Sequence, residues 1–510
     1  MSIQDLSQEI VDMIVAELIA LHPRETFQRR SCIHASLTFT KQGPRPWLSS
    51  LSSVSRVWQN TVEQHTFRTL YLTPARLHGF PLVVTGRRCR FVRHIDLRIL
   101  HDELPWQTIE SEADRQCNSR VFTRSLYELF SILAAWPPNH PGVYLMLHKF
   151  VSPQDVADGL EQYIPPDALG SRLLPQNEER SRRYKTSYLE LIGTAPLPEV
   201  HVLHKLRILS LADRKICPAS ATAIAARLPN LQTFWADVVE YPFADAESRR
   251  AVRAGRITDA AAGTPLPVDL VASSIRILSQ NLVQLDLTHC IVDTELFWPA
   301  DAKFGILPFW PRLAKLRVGF RGENTAGQWL FERDPNDPSA VSESETDDEG
   351  GAAESDETGD LEGAQIGSIQ GTDGPERDDG DEAGQDLRGP AYRKVRRFRI
   401  KPVEELFEGL YLAAARAATR MPKLRMFWFG LIPHHDNCYQ SFEFAVVEKS
   451  ERCDTRVKAV LRGQPPFHPS VETMGVWKDV ARCLGRELSV EFRTERPKDK
   501  VNMMPWHEIL

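Results

Sequence analysis

The amino-acid sequence predicts an α/β protein: a short helical region at the N-terminus, then an irregular solenoid of strand and helix units, interrupted by a disordered acidic insert. Three observations lead to this prediction. Of the 510 residues, 42% are hydrophobic and 25% charged, so most of the chain can bury a core. Leucine recurs with strand-like spacing, and one segment has the composition of a disordered chain. We expect boundaries at 1–75, 76–333, 334–388 and 389–510.

The N-terminal region, residues 1–75, contains two apolar series. The first recurs every four positions, on one stripe of a helix, and comprises Leu6, Ile10, Ile14 and Leu18. The second follows a polar stretch and includes Trp47, Leu48, Leu51, Val54 and Trp58. Helices this short cannot bury both of their faces within about seventy residues. We therefore expect one apolar surface of this region to bind a partner.

The order of residues in this region resembles the F-box. The pattern of that family is Leu-Pro-x-Glu-Ile, an apolar helix, and then Leu-x-x-Leu-x-x-Val-Cys/Ser-Arg/Lys-x-Trp. The corresponding residues here read Leu6-Ser-Gln-Glu9-Ile10 and Leu48-Ser-Ser-Leu51-Ser-Ser-Val54-Ser-Arg56-Val-Trp58. Ser7 replaces the usual proline, and the stretch between the two helices is longer than usual. The alternative interpretation is an ordinary helical cap.

The F-box resemblance implies a docking surface for a Skp-type adaptor, the subunit that links such proteins to a cullin–RING complex. On the positions that match or support the motif, the adaptor-binding residues would be Leu6, Ile10, Ile14, Leu18, Leu51, Val54 and Trp58.

The body of the chain repeats a strand template, Leu-x-x-Leu-x-Leu, in which other aliphatic residues also occur. Copies begin at Val92, Leu206, Leu282 and Leu313. Two degenerate copies, Ala221–Ala236 and Ala414–Phe429, run from an Ala-rich stretch through a proline into Leu-x-x-Phe-Trp. Because proline interrupts a helix and favours extended backbone before it, each degenerate copy predicts a helix, a break and a strand.

These units resemble an irregular leucine-rich-repeat solenoid, in which each helix and strand buries its apolar face against its neighbours. The copy ending at Cys290 matches that family's L-x-x-L-x-L-x-x-N/C pattern. A generic α/β core with leucine-rich strands is the alternative. Strands at Ser441–Val447 and Glu487–Phe492, with a helix at Val476–Arg482 between them, predict a C-terminal cap.

Side-chain alternation in a solenoid strand would place the middle residue of each Leu-x-Leu on the concave face. The candidate substrate-binding residues are therefore Asp96, Ser210, Trp235, Asp286, Arg317 and Trp428. Tryptophan and arginine are frequent interface anchors. A one-residue error in register would instead place Trp235 and Trp428 in the core.

The net charge of −6 conceals two opposed contributions. Residues 334–386 hold nineteen acids and one base, a local charge of −18, so the remainder of the chain carries +12. The basic run Arg393–Lys401 follows the insert. We interpret this run as the solvated, partly strand-like flank of the insert; a nuclear-localisation patch is the second interpretation, and a nucleic-acid contact the least favoured.

Several functional classes lack support in the sequence. No apolar run approaches the roughly 18 residues that span a bilayer, so no membrane partner is expected. The cysteines form no CxxC pair, and no phosphate-binding glycine loop or nucleophile elbow occurs. His434, His435, Asp436 and Cys438 form a polar loop rather than a metal site. We predict no catalytic residue, metal or cofactor.

An F-box followed by a leucine-rich domain resembles the substrate receptors of cullin–RING ubiquitin ligases, particularly those of fungi. The resemblance implies a non-enzymatic adaptor, cytoplasmic or nuclear, that holds an unknown protein substrate. The alternative is a leucine-rich scaffold without a role in ubiquitin transfer. An enzyme with an unrecognised site would require a deep polar pocket with convergent titratable groups.

Overall fold

A computed structural model provides the three-dimensional structure of the chain. It describes residues 6–21, 26–29, 37–40, 46–100, 110–151, 188–193, 195–209, 215–238, 269–299, 307–333, 399–431, 440–447, 456–463 and 467–494. The fold is mixed α/β, with a large and mostly parallel sheet.

Eleven of the described strands form one sheet, which does not close into a barrel. Its first eight strands lie side by side in chain order, each parallel to the next: β3 (Thr69–Leu72), β4 (His94–Leu100), β5 (Val143–Val151), β7 (Leu203–Ile208), β9 (Thr233–Asp237), β10 (Gln284–Cys290), β11 (Lys315–Phe320) and β14 (Met426–Leu431). The sheet continues with antiparallel β15 (Gln440–Val447) and β16 (Arg456–Gly463), and ends at β17 (Leu488–Arg493), parallel to β16.

Three pairs of short strands lie outside this sheet. They are β1 (Thr26–Arg29) with β2 (Leu37–Thr40), β6 (Tyr188–Leu189) with β8 (Lys215–Ile216), and β12 (Phe331–Arg333) with β13 (Arg399–Pro402). The last pair is antiparallel, and it joins the two ends of residues 334–398, to which the acidic insert belongs.

The described part of the chain forms ten α-helices: α1 (Gln8–Leu21), α2 (Pro46–Ser52), α3 (Arg56–Phe67), α4 (Pro74–Leu77), α5 (Phe80–Val83), α6 (Glu112–Ala134), α7 (Pro218–Ala226), α8 (Leu270–Ser279), α9 (Glu404–Ala418) and α10 (Val471–Cys483). A capping box at Ser111 and Asp114 starts α6, and the Asp269 carboxylate caps α8. Short 3₁₀ helices cover Arg88–Phe91 and Thr294–Leu296.

The main apolar core lies between helices α6 to α10 and one face of the sheet. Alternate strand residues such as Leu97, Leu147, Phe234 and Leu287 are almost fully buried there. Because side chains alternate along a strand, the residues between them point to the opposite face. That second face is polar and carries the candidate substrate-binding residues.

A second, smaller apolar cluster joins the first three helices. Val11 and Val15 of α1 pack there with Leu48, Trp58 and Val62. Polar contacts reinforce the packing, because the Gln8 amide donates to the Thr61 hydroxyl at 2.6 Å, and that hydroxyl donates to the Asp12 carboxylate at 2.6 Å. The three helices are therefore held together by both apolar and hydrogen-bonding contacts.

The two degenerate repeat copies have the predicted order of elements. Helix α7 and strand β9 lie on either side of Pro229, and helix α9 and strand β14 on either side of Pro422. The strands predicted near the C-terminus and the helix between them are confirmed as β15, β17 and α10.

One copy of the template was registered wrongly. The sequence suggested Leu206-x-x-Leu209-x-Leu211, but the strand spans Leu203–Ile208, so the correct copy is Leu203-x-x-Leu206-x-Ile208. Leucines at 203, 206 and 209 are evenly spaced, and both alignments fit them equally well. Pairing with the neighbouring strands decides between the two, and it places Arg207 at the middle position.

The acidic insert, most of the basic run and the polar loop His434–Cys438 lie outside the described residues. Only the end of the basic run is described, where Arg399–Pro402 forms a strand. The Lys401 ammonium there pairs with the Glu332 carboxylate at 2.8 Å.

Candidate functional site

The polar face of the main sheet carries one continuous row of paired residues. Strand register aligns, from β3 to β15, Tyr71, Asp96, Met146, Arg207, Trp235, Asp286, Arg317, Trp428 and Glu443. This row contains five of the six residues predicted to share a face. Ser210 lies outside the described residues, and Arg207 is the row's residue on that strand.

At the centre of the row, each of two arginines stacks on a tryptophan. The Arg207 guanidinium lies 5.5 Å from the ring centre of Trp235, and that of Arg317 lies 5.0 Å from the ring centre of Trp428. Tyr144 meets the ring of Trp235 edge-on, with ring centres 5.8 Å apart. Guanidinium groups over indole faces are favourable, and stacking restricts the rotamers of both partners.

Asp286 lies in the row between these two stacked pairs. Its carboxylate is 3.5 Å from the Arg317 guanidinium. Burial raises the pKa of Asp286 above its ordinary value, and although Arg317 and Arg207 favour the ionised form, Asp237 opposes it. The Asp237 carboxylate in turn accepts a hydrogen bond from the Thr288 hydroxyl.

Among the described residues, three cations on this face form no direct ion pair with a carboxylate: Lys205, Lys315 and Arg207, the last of which acts on Asp286 only from a distance. The Lys315 ammonium is shielded from solvent and has no hydrogen-bond acceptor in the described part of the chain. Desolvation and the nearby Arg425 lower the pKa of Lys315. The sequence had not singled out these three residues, because their significance depends on which strands are neighbours.

The ends of the row consist of ion pairs. Asp96, which is 1% exposed, lies 3.7 Å from Arg98, and Arg98 stacks on Tyr71 at 5.1 Å. At the other end, Glu443 pairs with Arg462 at 2.8 Å and Lys458 with Glu491 at 2.7 Å. Uncompensated positive charge is therefore concentrated in the central strands.

The alternative register, with both tryptophans in the apolar core, does not hold. Trp235 is half-buried and pairs with Asp286, while Trp428 is buried on the polar face and pairs with Arg317. Neither belongs to the cluster that the helices cover.

The predicted adaptor-binding residues separate into two groups in the structure. Trp58 is 2% exposed and lies inside the N-terminal cluster, against which Leu6, Leu51 and Val54 pack. By contrast, Ile10 and its neighbour Met13 are exposed on α1 at 41% and 64%. Leu18 is half-buried on the same stripe, Ile14 is half-buried and packs against the N-terminal cluster, and Leu21 is exposed at the end of the stripe.

One carboxylate connects the N-terminal helices to the rest of the molecule. Glu63 of α3 accepts hydrogen bonds from Arg88 at 2.8 Å and from Arg87 at 3.0 Å, and Gln59 also donates to it at 3.0 Å. Burial opposes ionisation of Glu63, but these donors outweigh it and hold its pKa below the ordinary value.

In the described part of the chain, no group of three His, Cys, Asp or Glu side chains is placed to hold a metal ion, and no described helix is long and apolar enough to span a membrane. The pocket between α4, α6 and residues 192–195 is wide, open and mainly apolar, with a volume of about 880 Å³.

Comparison with protein-family models, curated proteins and solved structures finds no match to this chain. The geometry therefore defines only a class of protein: an α/β chain with a helical N-terminal region and an 11-stranded sheet whose polar face is rich in tryptophan and arginine.

Proposed function

We propose that this chain is the substrate-recognition subunit of an SCF-type cullin–RING E3 ubiquitin ligase. The observation that carries the proposal is the exposure of Ile10, Met13 and Leu21 on one stripe of α1, while most of the F-box-like motif packs into or against a core beneath it. An exposed apolar stripe on a helix that is itself well packed is typical of an interaction surface.

The stripe is the part of the motif that would contact the Skp-type adaptor. Burying an exposed aliphatic side chain contributes about 1.5 to 3 kcal/mol, so Ile10 and Met13 are the natural anchors, with Ile14 and Leu18 beside them. Trp58 acts differently, because its ring is already inside the cluster. It would hold α1 against α3, and so keep the stripe in place.

The sequential order of the parallel strands supports the solenoid part of the proposal. A stack of helix and strand units, with helices on one face, produces this order. Cys290, the last position of the best template copy, donates to the Gly319 carbonyl on the next strand at 3.4 Å and so links neighbouring units. The polar face would then be the substrate-binding surface.

Co-expression of the full chain with a Skp-type adaptor tests the docking surface. We expect wild type to co-purify with the adaptor, and the double variant Ile10→Glu, Met13→Glu to lose it, because two carboxylates would be desolvated at the contact. The control, Ile277→Glu with Val471→Glu, alters exposed aliphatic residues of two other helices, at 65% and 93%, and should still co-purify.

Failure of the wild-type chain to bind the adaptor would refute the docking proposal. Equal loss in the control pair would show that added charge, and not the stripe, is responsible. Thermal unfolding of all variants checks that the fold survives.

The second candidate is a scaffold that uses the sheet face without ubiquitin transfer. The tryptophan and arginine row supports it as well as it supports a ligase receptor. Pull-down of the full chain separates the two, since recovery of cullin with the adaptor is expected only of the receptor. Neither candidate makes the chain an enzyme.

A further inference from the structure

We infer that the polar face of the central strands binds an extended acidic peptide whose carboxylates are four residues apart. This deepens the proposed function by naming the chemical class of the substrate segment. Its test uses the isolated chain, so its failure is distinguishable from failure to bind an adaptor.

Charge complementarity identifies the ligand. Among the described residues, Lys205 of β7 and Lys315 of β11 form no ion pair with a carboxylate, and Arg207 acts on Asp286 only from a distance. The acids between them are already engaged, Asp286 with Arg317 and Asp237 with Thr288. An incoming anion would meet a surplus of positive charge at this place, which favours its binding.

Lys315 adds an independent reason for a ligand. Its ammonium is hidden from water without an acceptor, an arrangement that costs free energy until an acceptor is supplied. The residue as a whole is only half-buried, so rotation of its flexible side chain can bring the ammonium to the surface. A ligand carboxylate would satisfy it.

Strand register sets the distance between Lys205 and Lys315, and with it the spacing of the two acids in the peptide. Lys205, Thr233, Gln284 and Lys315 form one row across β7, β9, β10 and β11. Three strand spacings of about 4.8 Å separate the lysines by about 14 Å. A peptide crossing the strands advances about 3.3 Å per residue, so side chains at positions i and i+4 are about 13 Å apart and on the same side.

The central part of such a peptide would lie over polar groups. Thr233 and Gln284 are both buried, and they form the floor between the two lysines. Trp235 stands beside this floor, with Arg207 on its ring. Small polar residues between the two acids suit this surface.

Fluorescence anisotropy of the full chain with a labelled peptide, Gly-Glu-Ser-Ser-Ser-Glu-Gly, tests the inference. We expect saturable binding that weakens as NaCl is raised. A peptide of equal charge with adjacent acids, Gly-Glu-Glu-Ser-Ser-Ser-Gly, should bind about threefold more weakly, because it can reach only one lysine at a time.

The double variant Lys205→Gln, Lys315→Gln should bind the first peptide about tenfold more weakly. The control pair, Lys423→Gln with Lys478→Gln, removes the same charge from exposed positions off this face, and should bind as wild type does. If the double variant unfolds, the single variant Lys205→Gln takes its place. No binding by wild type, equal binding of the two peptides, or equal weakening by the control pair would overturn the inference.

Discussion

At the scale of single residues, Glu63 helps attach α3 to Arg87 and Arg88, which lie outside the N-terminal helices. Its side chain is 7% exposed and is shared by two arginines and a glutamine. Replacing it with glutamine removes the charge but keeps the shape. We expect Glu63→Gln to lower the free energy of unfolding by about 2 kcal/mol at pH 7, as measured by urea denaturation.

The pH dependence follows from the lowered pKa of Glu63. A carboxyl with a lowered folded-state pKa stabilises the fold above its ordinary value of 4.5, and the contribution is lost as pH falls through the folded-state pKa. The difference between wild type and Glu63→Gln should therefore shrink below that range. As a control, Glu199→Gln breaks an exposed pair with Arg227 and should cost no more than about 0.5 kcal/mol. A constant difference at all pH values would contradict the ion-pair explanation.

At the scale of single elements, strand β14 shows how the polar face is assembled. A Cβ atom on Gly430 would come within 2.8 Å of both the Ser441 Cβ and the Trp428 ring. Glycine therefore makes room for the close approach of the Trp428 ring and of Ser441 on the next strand. We expect Gly430→Ala to destabilise the protein by about 1 to 3 kcal/mol and to change the near-ultraviolet circular dichroism of the tryptophans.

The matched control is Gly475→Ala in helix α10. No atom lies within 4 Å of a Cβ at that position, so alanine should be neutral or stabilising by up to about 1 kcal/mol. Similar effects of the two substitutions would show that the close approach at Gly430 does not restrain Trp428.

The strand template predicted the copies that keep aliphatic residues at all its positions, but it missed β5. The position corresponding to its first leucine there is Gly142, whose backbone has a φ of +103° and lies against His204. The register of β7 was ambiguous because its leucines are evenly spaced. The sequence alone predicts which side chains of a strand share a face, because side chains alternate along the chain. It does not predict that Lys205, Arg207 and Lys315 form no direct ion pair, because that depends on which strands are neighbours.

For the N-terminal motif too, the sequence predicted the helix but not which of its faces is buried. The spacing of Leu6, Ile10 and Ile14 predicted a helix, which the structure confirms as α1. The residues buried on that helix are instead Val11 and Val15, one position further along. An amphipathic stripe in the sequence cannot distinguish a buried face from an exposed one when both faces are apolar.

For the whole molecule, the placement of the acidic insert leads to a prediction. Strands β12 and β13 pair Arg333 with Arg399, so the two ends of the interrupted chain already lie side by side. Deleting residues 334–386 leaves twelve residues, 387–398, to join them, more than a hairpin needs. We expect cooperative unfolding to persist in the deletion variant.

The charge of that variant should change sign. Removal of a segment carrying −18 converts the net charge from −6 to +12, so the protein should bind a cation exchanger at pH 7 where wild type does not. Broad, non-cooperative unfolding of the deletion variant would show that the insert contributes to the folded structure.

The central claim is that α1 presents a docking surface for a cullin–RING adaptor. Titration of the purified full chain with a purified Skp-type adaptor, followed by calorimetry, tests this claim most directly. We predict a one-to-one complex with a dissociation constant of about 1 μM or tighter, weakened at least about tenfold by Ile10→Glu with Met13→Glu. Absence of binding at about 100 μM adaptor, or unchanged affinity of the double variant, would contradict the claim.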